Sequence, residues 1–377
     1  MTGLFFFLAA VALLLFLHPY SSYPFSLRYF RPRPLAIRAD APLPSATMVF
    51  SAYNEEQSLP AKIDNLRQIK QKYPWIEIIA YSDKSSDATL QLLNAASDIL
   101  HVIAAQERTG KAIGMRKMVA RASGEIVIFT DANVILDVDS IEPLLRYFSD
   151  PNIGGVAGTL RYINEDASAT AKVGGLYWRL EEKLKQKEAR IGSIMGADGS
   201  IFATRRELYP EVPAHLLDDM TASMTVTFRG KRLIHATDVV AYEKNATSDA
   251  DEFRRKRRIA CRAFNTHRYL WPTIRQHYNA VDQYKYISHK LLRWFGLMPL
   301  LGAILCFSIA LILADCLWLL GVCVAVGVMA LIFGKIGLPL FSGLYQILVS
   351  IIATFLGVMD SLRGKTYQTW TPAASRN

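Results

Sequence analysis

The chain has 377 residues, a formal net charge of +10 and four cysteines. Apolar residues make up 51% of it, and their gathering into a few runs matters more than the total. The cysteines show no C-x-x-C metal spacing and read as small apolar residues of a reducing compartment, and the length suits one large domain plus added parts.

In chain order, residues 4–17 (LFFFLAAVALLLFL) form the first uncharged apolar run. At that length it is a short span, a signal-peptide core or an interfacial helix. No Lys or Arg precedes it and no small-residue cleavage site follows, which argues against a signal peptide. The N-terminal membrane segment is taken as 1–20 and a Pro- and Arg-rich linker as 21–44, ending in RPRPLAIRADAPLP. Residues 45–250 read as a soluble domain.

ATMVF (46–50) predicts a strand. SAYNEE (51–56) turns into a helix that runs to about Lys72, with Leu59, Ile63, Leu66 and Ile69 on one face, and Pro74 stops it. IEIIAY (76–81) predicts a second strand that runs out at Ser82–Asp83, and Thr89–Ala96 a helix. LHVIA (100–104) is a third strand, and Lys111–Ala122 a helix that Gly124 ends. Glu125–Phe129 is a fourth strand, with Asp131 at its tip. This alternation predicts an α/β fold with a mostly parallel sheet and helices on both faces. In such sheets ligands bind beyond the carboxyl ends of the strands, where Asn54, Glu55, Asp83 and Asp131 sit.

Carboxylate and carbonyl oxygens at such a place suit Mg²⁺ or Mn²⁺. Asp131 and Asn133, at i and i+2, point the same way if the segment is extended. D-x-N alone is also an ordinary turn signal. TGKAIG (109–114) lacks the first glycine and the Ser/Thr of a Walker loop. His235 reads as a structural histidine rather than a third metal ligand. Trp178 and Tyr177 head a charged helix and read as core or as a sugar-stacking platform. Arg205–Arg206 reads as a helix start or a phosphate contact.

Seven segments, in order, resemble the family 2 glycosyltransferases, the GT-A group that includes cellulose and hyaluronan synthases. They are SAYNEE (51–56), SDKSSDAT (82–89), RTGKAIGMRK (108–117), TDAN (130–133), GADGSIFATRREL (196–208), LDD (217–219) and RRKRRI (254–259). The resemblance implies a GT-A domain that uses a nucleotide diphosphate sugar, a UDP-sugar above all. Asp83 would hydrogen-bond the uracil, and Tyr53 and Glu55 would line the base or ribose pocket. Lys111 would sit near the diphosphate or uracil, and Arg258 would face the diphosphate. Asp131 would hold a divalent cation, Mg²⁺ or Mn²⁺, with Asn133 beside it. Asp219 would be the catalytic base of an inverting transfer. The acceptor would be a saccharide or lipid-linked saccharide in polysaccharide biosynthesis, together with polysaccharide-assembly partners. Three positions depart from the pattern: Asn133 replaces the second aspartate of D-x-D, Ile259 stands where processive synthases place tryptophan, and Arg255 where they place glutamine. Transfer to a polyprenyl phosphate is the alternative enzyme reading. A non-catalytic nucleotide-binding membrane scaffold is the alternative of another class.

Residues 251–294 are basic and read as an interfacial helical segment, its run at 254–258 a solvated or lipid-facing face. Residues 295–360 hold three further apolar runs (295–313, 316–334, 336–359), each long enough to cross a bilayer, which takes roughly 20 residues. With membrane segments present, the positive charge suits anionic lipid rather than nucleic acid. Arg28, Arg31, Arg33 and Arg38 follow the first run, and Arg275, Lys285, Lys290 and Arg293 precede the second, so the domain is expected on the cytoplasmic side of a multi-pass cell-membrane protein. The tail (361–377) carries Arg363, Lys365 and Arg376, which also argue for that side, whereas three crossings would put it on the other. One run is therefore expected to be re-entrant or interfacial, and Gly337 and Pro339 point to the third.

Overall fold

The computed structural model describes residues 1–164, 168–245 and 247–369; Arg376 lies outside them. Helix α1 (Thr2–Leu17) and a short α2 (Ser22–Ser26) lead through the linker to strand β1 (Ala46–Ala52). There follow α3 (Leu59–Lys72), β2 (Glu77–Ser82), α4 (Thr89–Ala95), β3 (His101–Ala104), α5 (Lys111–Arg121) and β4 (Ile126–Thr130). The expected boundaries hold to within a residue or two, except that α3 starts only at Leu59, after the turn.

The chain continues with β5 (Ile135–Leu136), α6 (Ile141–Arg146), β6 (Ile153–Tyr162), α7 (Ala169–Ile191), β7 (Ile201–Arg205), α8 (Asp218–Phe228) and β8 (Arg232–Glu243). The strands form one sheet in the order β3-β2-β1-β4-β7-β6-β8-β5. Its first half is parallel. Its second half is mixed: β7 runs antiparallel to β4 and β6, and β8 pairs parallel with β6 and antiparallel with β5. The strand order runs outward from β1 both ways, to β2 and β3 on one side and to β4 on the other, which opens a crevice at the strand tips.

Alternation along each strand divides the core. Met48, Phe50, Ile126 and Ile128 meet the α3 side with Leu66 and Ile69. Val49, Val127 and Phe129 face Met115 and Met118 of α5 and Ala222 and Val226 of α8. Burial on both faces explains why β1 and β4 read as continuous apolar runs rather than alternating ones.

Beyond the sheet come α9 (Asp249–His277), α10 (Ala280–Tyr286), a π-helical turn, α11 (Leu292–Trp294), α12 (Leu297–Leu313), α13 (Leu317–Lys335) and α14 (Pro339–Leu362). Thr2–Tyr20, Leu317–Lys335 and Phe341–Leu362 are long and apolar enough to cross a membrane. α12 is bent by 68° from the helix Ala280–Trp294 before it and packs along α1, with Phe6 and Phe307 edge to face at 5.9 Å. Gly337, with φ of +89°, follows the end of α13, and Pro339 starts α14 at a position where its missing N–H costs nothing. These two residues separate two helices; they do not fold α14 into a loop.

The run 254–258 is not a free charged face. Arg254 pairs with Asp251 at 2.5 Å, Lys256 with Glu252 at 3.4 Å and Arg257 with Asp360 of α14 at 2.6 Å. The acids lie three or four residues back on the same helix or on the neighbouring one, so a charge run misleads when read along the chain alone.

Candidate active site

The tip of β4 is held from below. Lys62 of α3 is fully buried, and its ammonium donates to Val134 O at 2.7 Å and Thr130 Oγ1 at 3.2 Å. Burial pushes its pKa down to about 7, against the pull of Asp131. Val134 N–H donates to Asp131 O at 3.2 Å, so residues 131–134 form a turn. The extended geometry expected for Asp131 and Asn133 is therefore replaced. Asp131 Oδ1 meets Lys111 Nζ at 2.5 Å, whereas Asn133 Nδ2 donates to Glu243 at 3.0 Å.

Lys111 opens α5. Its ammonium also lies 4.0 Å from Asp218 Oδ2. Burial works against its charge, but Asp131, Asp218 and Asp219 together outweigh burial and raise its pKa. Asp218 and Asp219 open α8. Burial and the neighbouring Asp218 carboxylate push Asp219 up to about 7, while Lys111 and the Met220 N–H, 2.6 Å from Asp219 Oδ1, pull it down. Gly199 faces this cluster. A Cβ there would stand 2.8 Å from Lys111 Nζ, 3.4 Å from Asp219 Oδ2 and 3.7 Å from Asp131 Oδ2. The loop carrying Gly199 is fixed by Asp198, which takes Lys185 Nζ at 2.8 Å and the Ser200 N–H at 3.2 Å.

A second group lies at the tips of β1 and β2. Asp83 is buried and accepts from Thr109 N at 2.8 Å, Thr109 Oγ1 at 3.1 Å, Gly110 N at 3.0 Å and Arg108 Nε at 3.3 Å. It thus folds the segment that delivers Lys111. The Arg108 guanidinium lies 3.2 Å from the centre of the Tyr53 ring. Glu55 closes the start of α3: its N–H donates to Thr89 Oγ1 at 2.8 Å and its carboxylate accepts from Ser58 at 2.9 Å.

Tyr53, Asp83, Lys111, Asp131 and Asp219 are thus gathered along one crevice. Arg258 is half-buried on α9. One turn on, Arg262 is almost fully buried, donates to Leu216 O and feels both Asp218 and Asp219. Thr266 Oγ1 accepts from Leu217 N at 3.0 Å, so α9 grips the peptide that enters α8 from both sides. The remaining candidates make contacts within the fold. His235 lies 2.8 Å from Glu182. Trp178 packs on Tyr162 at 6.2 Å and on the core. Arg205 and Arg206 donate to backbone carbonyls at 2.9 and 3.1 Å.

Among the described residues, no group of three or more His, Cys, Asp or Glu side chains could hold a metal ion. At the β4 tip one carboxylate, Asp131, stands beside Lys111, while Asn133 is turned toward Glu243. A single carboxylate fits a hard cation that takes its other ligands from a diphosphate and water.

The half-parallel sheet with a lysine–carboxylate cluster at its switch point has a GT-A-like fold. Residues 47–212 match the family described as Glycosyl transferase family 2, so that part of the chain is similar to the family 2 glycosyltransferases. It is 26% identical over 200 residues to a poly-beta-1,6-N-acetyl-D-glucosamine synthase of Staphylococcus aureus, covering 51% of this chain and 48% of that protein. It is 28% identical over 195 residues to an N-acetylglucosaminyltransferase of a Rhizobium species, covering 50% of this chain and 41% of that one. The chain thus spans about half the length of the curated relatives it matches. A mannosyltransferase of Pyrobaculum calidifontis, solved with GDP-Man and Mn2+, superposes with a TM-score of 0.71 at 18% identity, over 96% of this chain and 99% of that one. That likeness is one of fold.

Proposed function

We propose that this protein is a membrane-bound inverting glycosyltransferase. It moves a sugar from a nucleoside diphosphate sugar, a UDP-sugar above all, to a saccharide or lipid-linked saccharide acceptor, with its domain on the cytoplasmic side. The observation that carries this reading is the gathering of Asp219, Lys111 and Asp131 around Gly199 at the strand tips.

A sugar hydroxyl is a weak nucleophile until a base takes its proton. Asp219 is placed to take it as the acceptor oxygen bonds to the anomeric carbon. The bond from that carbon to the diphosphate breaks on the opposite face, and the electron pair leaves with the diphosphate. A pKa near 7 matches a base to neutral pH. Lys111 supplies fixed positive charge where the leaving diphosphate gathers negative charge. A divalent cation on Asp131, beside Asn133, would add Lewis-acid neutralisation of that diphosphate. Tyr53 offers a ring face to the base, Glu55 lies beside it for the ribose, and Asp83 holds the loop between base and diphosphate. Arg258 faces the diphosphate from α9 in this reading. The half-length match to poly-N-acetylglucosamine synthase supports a polysaccharide acceptor.

The test is release of free nucleoside diphosphate by purified full-length protein. The donors are UDP-N-acetylglucosamine, UDP-glucose, UDP-galactose, UDP-glucuronate and GDP-mannose, with Mn²⁺, Mg²⁺ or chelator. Metal-dependent turnover of one donor, lost in Asp219→Asn and Asp131→Ala, is expected. Nucleotide binding without turnover, unchanged by Asp219→Asn, would favour a scaffold.

A further inference from the structure

α14 passes as a membrane span by length and composition, yet it is attached to the soluble domain at both ends. Near its start, a Cβ on Gly343 would sit 3.9 Å from Val173 of α7. Further along, Lys256 of α9 donates to Ser350 at 2.5 Å. At Gly357 the helices nearly touch: a Cβ there would clash with Arg257 O. At its end, Asp360 takes Arg257 at 2.6 and 3.0 Å, and Ser361 O accepts from Arg268 at 3.0 Å. These contacts run over about 18 residues, or about 27 Å of helix at 1.5 Å per residue. A bilayer's hydrocarbon is about 30 Å thick, so a crossing α14 would carry this polar seam and the domain helices with it into lipid. Charged side chains there cost roughly 2.5–3.5 kcal/mol each by insertion scales.

The side chains sort accordingly. Ser342, Gln346, Ala353, Val358, Asp360 and Ser361 are buried against the domain, while Leu344, Ile347 and Leu362 are exposed. α13 makes the contrast, with 6% of its span buried against 28% for α14. After α14 the chain stays on the domain. Asn265 donates to Lys365 O at 3.0 Å, and a Cβ on Gly110 would clash with Gln368 O. The neighbouring α7 continues the same surface. Leu176 and Leu180 are exposed, followed on that stripe by exposed Lys183, Lys187 and Arg190, while Glu181, Glu182 and Glu188 are buried.

We propose that α14 does not cross the membrane. It lies in the interface on the domain's side, with its polar stripe on α9 and α7, its apolar stripe in the acyl boundary, and the basic residues of α7 toward anionic headgroups. The C-terminal tail then lies on the same side as the crevice, which accounts for Arg363 and Lys365 there. The inference rests on the membrane location proposed above, not on the transfer reaction.

The test is cysteine labelling of the full chain in intact and permeabilised cells, with the four native cysteines replaced. The single sites are Lys117→Cys in the domain, Ala314→Cys between α12 and α13, Ile336→Cys between α13 and α14, and Arg363→Cys and Thr366→Cys after α14. A membrane-impermeant maleimide is expected to treat 117, 336, 363 and 366 alike, protected until permeabilisation. Two tail positions guard against one variant misfolding. Labelling of 336 and the tail from opposite sides would overturn the inference, and so would both lying opposite 117. If 117, 336 and the tail all label from outside, the cytoplasmic orientation falls and the in-plane helix stands.

Discussion

Asp219→Asn should make the protein more stable and less active, and the gain should depend on pH. The carboxyl sits at about 7 against an ordinary 3.8, and each unit is worth about 1.4 kcal/mol. With the folded pKa above the unfolded one, the folded state holds the proton longer. Stability is therefore lost as pH rises from about 4 to about 7 and is flat above that. By about pH 5 roughly a third of the total has been lost, and by about pH 8 all of it, about 4 kcal/mol. An amide keeps the shape and an oxygen for the Met220 N–H but has no proton to lose. The variant should gain about 2–3 kcal/mol on the parent between those pH values, or about 5–10 °C in Tm for a domain of this size. The assay is thermal unfolding of both proteins in the same detergent across that range. Nucleoside diphosphate release by the parent should climb through about pH 7, and the variant should release about 10²-fold less or lower still. Parallel Tm–pH curves would refute the reasoning, because Asp219 would then carry no raised pKa and lose its claim as the base.

Gly199→Ala should leave Tm within about 1 °C, since the crowded atoms are side-chain ends that can move, yet cut turnover about 10–100-fold by displacing Lys111; a Tm loss matching the activity loss would point to misfolding instead. Thr266→Val removes two neutral hydrogen bonds, from Leu217 N and to Arg262 O, and should cost about 1–2 kcal/mol in denaturant unfolding, with the acid limb of the pH profile unmoved. Arg262→Met removes a buried charge facing Asp218 and Asp219 as well as the bond to Leu216 O, and should cost about 2–3 kcal/mol. That substitution should also shift the acid limb upward, because a cation that favoured ionised Asp219 is gone; an unmoved limb would mean Arg262 acts only as a clamp.

The first half of the sheet was legible because each strand is a short apolar run followed by a helix, and strand tips are where acids stand out. The mixed half was harder. β7 reverses direction against β4 after a long excursion through α7, and nothing in IFATR announces its partner. Lys62 went unread although a signal existed. Leu59, Lys62, Leu66 and Ile69 share one helical stripe, and a lysine in such a stripe must find buried acceptors. The reading through Ile63 chose the neighbouring stripe. Arg262 was obscured by the denser run at 254–258, because charge density says nothing about which arginines have local acids to meet.

The pairing of that run also bears on how Asp219 is placed. Asp131 belongs to the sheet, but Asp218 and Asp219 follow a long loop after β7, and a loop alone would leave their distance to Asp131 loose. α9 removes that freedom. Arg262 and Thr266 fix the carbonyl of Leu216 and the N–H of Leu217, the two groups just before α8 begins. α9 is itself fixed to α14 by the paired bonds from Arg257 to Asp360 and by Arg268 on Ser361. Two separately anchored bodies therefore meet at Lys111, which touches Asp131 from one and approaches Asp218 from the other. Preorganisation of the cluster then depends on both anchors. A substitution in the α9–α14 seam, far from Lys111, should loosen it as surely as one in the crevice.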